Sequence, residues 1–183
     1  MDLATQQRKL LGLFRSTYEA TVEDDPYIRR VARSRDLAEG KKNIALWRVW
    51  VFERTCALTV NLLRRRNLLN NLVKEFITAE NISPFRETQA PAFLEWLEKS
   101  EDHLLASVAS FELALMRVRE GDQQTHIISW TVEPASILHC LAKDLPFGAE
   151  MRAGQYQTIV SSRIPGHFEI LELMTATSRA ESR

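Results

Sequence analysis

YQTIVSSRIPGHFEIL, Tyr156–Leu171, is the stretch that decides the fold class of this chain. Side chains in a strand alternate between two faces, and the first half of the stretch shows that alternation. One face carries Tyr156, Thr158, Val160, Ser162 and Ile164. Pro165-Gly166 then predicts a type II turn with glycine at the position of positive φ, and the alternation resumes from Phe168. The stretch therefore predicts two strands around a turn.

A third strand is predicted upstream in THIISWTV, Thr125–Val132, which is rich in β-branched and aromatic residues. Pro134 follows at the first turn of a short helix that ends before Pro146. The region 122–175 is therefore expected to be a small module of three strands and one helix. Residues 176–183 are expected to form a frayed tail.

The region 1–121 is predicted to be a helical bundle, because its apolar residues recur at helical spacing. The predicted helices are Asp2–Ala20, Pro26–Leu37 (ended by Gly40), a long helix capped by Asn43 and closed by Arg64–Asn67, Leu68–Ala79, Pro91–Ser100 and His103–Glu120. The long helix is apolar nearly all round, which predicts that it is buried, with Trp47 and Trp50 in the core. Trp96, in the predicted helix Pro91–Ser100, is also expected in the core. A loop with Ser83-Pro84 precedes Pro91. The fold class is α+β, an N-terminal helical bundle followed by a small C-terminal β-containing module.

The composition is that of a soluble globular protein, since 45% of the 183 residues are hydrophobic and 26% are charged. Lys+Arg and Asp+Glu are both 24, and a net charge of zero argues against general nucleic-acid binding. No apolar run approaches the ~20 residues of a membrane span. Cys56 and Cys140 lie in apolar runs and are expected to be reduced, buried thiols. A cytoplasmic location without membrane contact is therefore expected.

The sequence shows no pattern of a self-sufficient enzyme. Cys-x-x-Cys, a Walker loop and a nucleophile elbow are absent, and no metal-site spacing joins the four histidines, His103, His126, His139 and His167. His139 and Cys140 are neighbours on a predicted helix and so point in different directions. Glu112 borders the apolar stripe of its helix, where a carboxylate is expected to be the ion-pair or cap partner of a nearby arginine, or else a ligand or base. No catalytic residue, metal or cofactor is assigned to this chain.

A family resemblance is carried by KEFITAENISPFRETQAPAFLEWLEKS, Lys74–Ser100, and HLLASVASFELALMRV, His103–Val118. These segments resemble the helical N-terminal domain of partner proteins of multinuclear non-heme iron oxidases, a family once labelled DNA-binding. The resembling features are a Ser-Pro loop, a short aromatic helix and the A-x-x-E pattern at Ala109–Glu112. The C-terminal order of proline, helix, Leu-Pro, strand, Pro-Gly and strand is similar to the small module of those partners.

The resemblance implies a non-catalytic partner subunit that works beside a TIM-barrel iron enzyme, as a heterodimer. Such pairs modify cysteines in ribosomally made precursor peptides, as in methanobactin and thiaglutamate maturation. The iron and the oxidative chemistry belong to the barrel enzyme in that scheme. A sheet with an exposed edge can accept a peptide as an added strand. The residues expected to hold the precursor peptide are Tyr156, Thr158, Val160, Ser162, Arg163 and His167.

Three alternatives stay open at this point. The first is that the sheet binds no peptide and only covers one end of the bundle. The chain can be a DNA-binding or regulatory protein that uses Arg29, Arg30, Arg33 and Arg64–Arg66 on phosphates. It can also be an independent enzyme whose site joins distant residues such as Glu112 and His167.

Overall fold

The computed structural model of the protein describes residues 2–79, 86–148 and 152–173. Within these ranges it contains eight helices and a three-stranded antiparallel sheet of order β1-β2-β3, which confirms the predicted α+β class. The helices are α1 (Leu3–Arg15), α2 (Pro26–Ala32), α3 (Arg35–Thr55), α4 (Ala57–Arg65), α5 (Leu69–Ala79), α6 (Arg86–Leu97), α7 (His103–Arg119) and α8 (Pro134–Ala142), and the strands are β1 (His126–Val132), β2 (Ala153–Val160) and β3 (Phe168–Glu172). The Ser83-Pro84 loop and the tail 176–183 lie outside the described residues.

Helix α3 begins earlier than predicted. Its N-cap is Ser34, whose Oγ accepts a hydrogen bond from the Leu37 N–H at 3.1 Å, so the prediction of a cap at Asn43 is wrong. Gly40 lies inside α3 and does not end a helix. A Cβ atom on Gly40 would lie 3.0 Å from the Phe14 ring, so the glycine lets α1 pack closely against α3. The tertiary contact therefore outweighs the weak helix propensity of glycine.

The long apolar helix of the prediction is two helices that meet at Cys56. This residue has φ −124° and ψ 52°, which is not helical, and α4 starts after it. Val60, Leu62 and Leu63 of α4 are buried in the core, whereas Trp47 and Trp50 on α3 are 43% and 42% exposed. The prediction that both tryptophans lie in the core is therefore wrong, because the apolar run is divided between two helices with different buried sides.

Helix α6 also departs from the prediction, because it starts at Arg86 and contains Pro91 in its interior. A proline there removes one helical hydrogen bond. The helix continues because Phe93, Leu94 and Leu97 are buried. The Phe93 ring stacks on the Phe52 ring with centroids 4.3 Å apart.

One hydrophobic core extends from the bundle into the sheet. Phe111 of α7 packs edge-on against Trp130 of β1, with ring centroids 6.2 Å apart, and this contact joins the two parts. A second, smaller cluster joins α1, α2 and α3 through Leu13, Ile28 and Leu37.

The turn between β2 and β3 has the geometry that Pro165-Gly166 predicts. Gly166 has φ 75° and ψ 4°, and the His167 N–H donates to the Ile164 carbonyl at 2.8 Å. These values match the third residue and the closing hydrogen bond of a type II turn.

Candidate functional site

The segment expected to hold a peptide begins with the central strand of the sheet. β2 pairs with β1 on one side and with β3 on the other, so neither edge of β2 is open. Tyr156, Thr158 and Val160 are buried, and Thr158 Oγ1 accepts a hydrogen bond from Trp130 Nε1 at 3.0 Å. In this structure these three side chains belong to the core, and none of them lies on a surface that a peptide can reach.

The other three expected residues lie near the turn that follows β2. Arg163 is exposed, and Ser162 Oγ lies 3.3 Å from Gln123 Oε1 in the loop before β1. His167 adopts φ 72°, a rare conformation for a residue with a Cβ atom. Its buried Nδ1 has no hydrogen-bond partner in the part of the chain that the structure describes. The structure therefore places the six expected residues in two groups, three in the core and three at one end of the sheet.

Sequence periodicity did not show which strand provides the open edge. The Leu173 N–H donates to the Gln155 carbonyl at 2.8 Å, and the Ser161 N–H donates to the His167 carbonyl at 2.9 Å. Hydrogen-bonded pairs alternate along an antiparallel ladder, so every second residue of β3 turns its backbone away from β2. The outward backbone groups belong to Phe168, Ile170 and Glu172.

The β3 edge has no neighbour among the described residues, since β2 is the one strand that pairs with it. An unpaired edge is a template for another strand. The face of the sheet away from the bundle is also partly apolar. Its exposed apolar side chains include Ile127 on β1, Leu171 on β3 and Leu173 just after β3, and Glu169 lies two residues before Leu171 on the same strand.

The opposite edge, on β1, is more covered. Ser107 Oγ of α7 donates to the Ser129 carbonyl at 2.8 Å, so an added strand would compete with this bond. A polar groove of about 450 Å³ runs between this edge and α7 and includes His103, His126 and Arg117 in its lining. His126 Nε2 lies 3.0 Å from Asp122 Oδ2, and Arg117 pairs with Glu95.

Glu112 has a structural role that its position near the apolar stripe only partly indicated. Its carboxylate accepts hydrogen bonds from the backbone N–H groups of Leu58 and Thr59, both at 2.9 Å. These are the second and third residues of α4, whose own N-cap residue, Cys56, makes no side-chain capping hydrogen bond to the helix. Glu112 therefore caps α4 from another helix, and the interaction with the helix dipole partly offsets the burial of its charge. The predicted partner was an arginine, and the structure shows a helix N-terminus.

Burial dominates the ionisation of this region. It raises the pKa of the Glu112 carboxyl against the opposing effect of the two backbone hydrogen bonds. It also raises the pKa of the Cys56 thiol to about 12, with a further contribution from the charge of Glu112. Cys56 is therefore a buried, protonated thiol at neutral pH, as the expectation of a reduced thiol requires.

The three arginines at the end of α4 are engaged within the chain. Arg64 pairs with Glu53 and Arg66 pairs with Asp102. Arg65 donates to the Cys140 carbonyl and pairs with Asp144 at 3.3 Å. Each of these cations has a carboxylate partner, so contacts with phosphate groups would compete with existing ion pairs.

Within residues 2–79, 86–148 and 152–173, no group of three or more His, Cys, Asp or Glu residues could hold a metal ion. Glu112 and His167, the residues of the independent-enzyme hypothesis, also differ in setting, because one caps α4 and the other follows the turn at the end of the sheet. Across the described residues, no helix has the length and apolar character needed to cross a membrane.

Comparison with protein-family models, with curated proteins and with solved structures gave no match.

Proposed function

We propose that this chain is a cytoplasmic, non-catalytic partner subunit that presents a ribosomally made precursor peptide to a TIM-barrel multinuclear iron oxidase. The observation that carries the proposal is the open β3 edge, at Phe168, Ile170 and Glu172. The resemblance in the helical segments supplies the class of enzyme. In this proposal iron and oxidative cysteine chemistry belong to the barrel enzyme, and this chain binds and orients the peptide.

The β3 edge can hold a peptide through backbone hydrogen bonds. Each such bond contributes a net of about 0.5–1.5 kcal/mol, so a few of them give modest affinity without reading the peptide sequence. Alternate side chains of the added strand would lie on the outer face of the sheet near Leu171, and these contacts would provide selectivity. Fixing the peptide in one extended pose lowers the entropic part of the barrier to its modification.

The exposed side of α3 supports a role in a complex. Leu46, Trp47 and Trp50 are each more than two-fifths exposed, and the Arg54 guanidinium lies 4.5 Å from the centre of the Trp50 ring. Tryptophan and arginine are enriched among the residues that dominate protein–protein binding energy. We assign this side of α3 to contact with the iron enzyme, as part of the same proposal.

Ile170→Pro and Ile170→Ala form a matched pair for the test. Proline removes an N–H that points away from β2, so it blocks strand addition while the ladder between β2 and β3 remains. Alanine removes the same partly buried side chain and keeps the N–H. Tagged wild type and both variants are recovered from the native cells, and the eluates are analysed by mass spectrometry and for iron.

We expect the wild type and Ile170→Ala to recover a barrel protein with iron and a cysteine-containing peptide. Ile170→Pro should retain the barrel protein and lose the peptide. Equal recovery of the peptide with Ile170→Pro would refute strand addition on β3. Recovery of this chain alone, without iron or a barrel protein, would refute the partner-subunit proposal.

A further inference from the structure

A second concave site lies between α1, the segment that follows it, α2 and the start of α3. It is a cavity of about 340 Å³, within the usual range for small-ligand sites. Part of its wall is apolar and includes Leu13, Ala32 and Leu37. The polar part includes three cations, Arg29, Arg33 and Lys41.

In the part of the chain that the structure describes, no carboxylate forms a salt bridge with any of these three cations. Glu19 is the one carboxylate among the described residues that line the cavity. Asp24 lies nearby but is engaged, because it pairs with Lys9 and accepts from the Tyr18 hydroxyl at 2.6 Å. Lys41 donates to the neutral Ser16 Oγ at 3.0 Å and forms no ion pair with the described carboxylates. The lining therefore carries three positive charges and one negative charge.

Arg29 gives a second, independent indication of a missing partner. Its Nε is buried and has no hydrogen-bond partner in the part of the chain that the structure describes. Buried polar groups are almost always bonded, so an orphan donor beside a cavity points to a bound group. Arg29 lies in α2 and Arg33 is the C-cap residue four positions later, a spacing at which like charges repel each other. An anion between them would remove that repulsion.

We propose that this cavity binds the phosphate monoester of a small molecule, with the phosphate on Arg29, Arg33 and Lys41. A net charge of two positive units complements a phosphate monoester, which carries about −1.5 to −2 near neutral pH. Guanidinium groups bind phosphate oxygens through paired hydrogen bonds. The organic part of the ligand packs against Leu13 and Leu37. This site does not depend on the β3 edge or on an oxidase partner.

The test uses phenyl phosphate as the probe, measured by isothermal titration with the full chain. Three comparison ligands are titrated in the same way. Inorganic phosphate lacks the apolar part of the probe, phenol lacks its charge, and a short DNA duplex presents phosphates on a convex surface. Arg33→Gln is compared with Arg30→Gln, which removes the same charge from the same helix at a residue that stacks on Tyr27 and does not line the cavity. Lys41→Gln is the second cavity variant, and thermal unfolding checks that each variant is folded.

We expect saturable binding of one phenyl phosphate and at least about tenfold weaker binding in Arg33→Gln and in Lys41→Gln, the effect of losing a charged hydrogen bond. Arg30→Gln should change the affinity less than about twofold, since surface charges are screened. Absence of saturable binding would overturn the proposal, and so would equal losses in Arg30→Gln and Arg33→Gln. If inorganic phosphate binds as tightly as phenyl phosphate, the proposal that the ligand is a phosphate monoester is excluded. Displacement of phenyl phosphate by the duplex would favour the nucleic-acid alternative instead.

Discussion

Replacement of Glu112 tests whether one buried carboxylate holds the break between α3 and α4 in place. In Glu112→Ala the N–H groups of Leu58, which is partly buried, and of Thr59, which is buried, lose their acceptor. Each unsatisfied buried donor costs about 1–3 kcal/mol, so the two together lower the free energy of unfolding by about 2–6 kcal/mol. Glu112→Gln keeps one acceptor oxygen and should lose about 1–3 kcal/mol.

The pH dependence gives a second readout with a definite sign. Burial raises the pKa of Glu112 above its ordinary value of 4.5, so the folded state holds this proton more tightly than the unfolded chain. The free energy of unfolding therefore falls as the pH rises from about 4.5 through the raised pKa. Glutamine does not titrate, so the advantage of the wild type over Glu112→Gln should be largest near pH 4 and should shrink as the pH rises.

Urea unfolding followed by circular dichroism, at several pH values, measures both effects. Glu120→Gln is the control, because Glu120 is an exposed residue at the end of the same helix and its replacement should change the free energy of unfolding by less than about 0.5 kcal/mol. A loss below about 1 kcal/mol in Glu112→Ala would refute the capping role. A pH-independent difference between the wild type and Glu112→Gln would refute the burial argument.

Three further predictions concern other parts of the chain. Asp24 has a strongly lowered pKa because Lys9 and Tyr18 bond to its carboxylate, so Asp24→Asn should be less stable than the wild type at pH 7. In urea unfolding that difference should begin to shrink as the pH falls below 3.8 and should disappear only as the pH falls through the lowered pKa, so a difference that does not change with pH would contradict the role of the charge. Cys56 should react with a thiol reagent at pH 8 only after unfolding, because its thiol is buried and its pKa is raised. Cys140 is only partly buried and should react in the folded state, so simultaneous reaction of both thiols would disprove this prediction. Gly166→Ala should lower the free energy of unfolding by about 1–2 kcal/mol because of its positive φ. Gly148→Ala is its control, because an added Cβ atom has no neighbour within 4 Å at either glycine and Gly148 has no positive φ. Equal losses of stability in the two variants would refute the backbone explanation.

Local patterns predicted the elements whose stability depends on neighbouring residues in the chain. The alternation at Tyr156–Leu171 predicted both strands, and Pro165-Gly166 predicted the turn that joins them. The predicted first strand continued to Ile164, whereas β2 begins at Ala153 and ends at Val160. The spacing of apolar residues placed α7 within one residue of its observed end at Arg119. These signals are reliable because strand alternation and helical spacing are properties of the backbone itself.

The errors occurred where a distant residue decides the local conformation. The break at Cys56 is stabilised by Glu112, which lies 54 residues further along the chain from Leu58. Gly40 continues a helix because Phe14 packs against it. Propensity at one position cannot report either contact, because both depend on the packing of separate helices.

The same distinction applies to the candidate sites. The sequence by itself determined a helical bundle followed by a small sheet, and it determined which side chains share a face of β2. Only the tertiary structure decided that this face is buried against α7, that β3 provides the open edge, and that Arg29, Arg33 and Lys41 surround one cavity. The physical reason is that periodicity fixes the relation between neighbours along one element, whereas strand order and helix packing depend on contacts between residues far apart in the sequence.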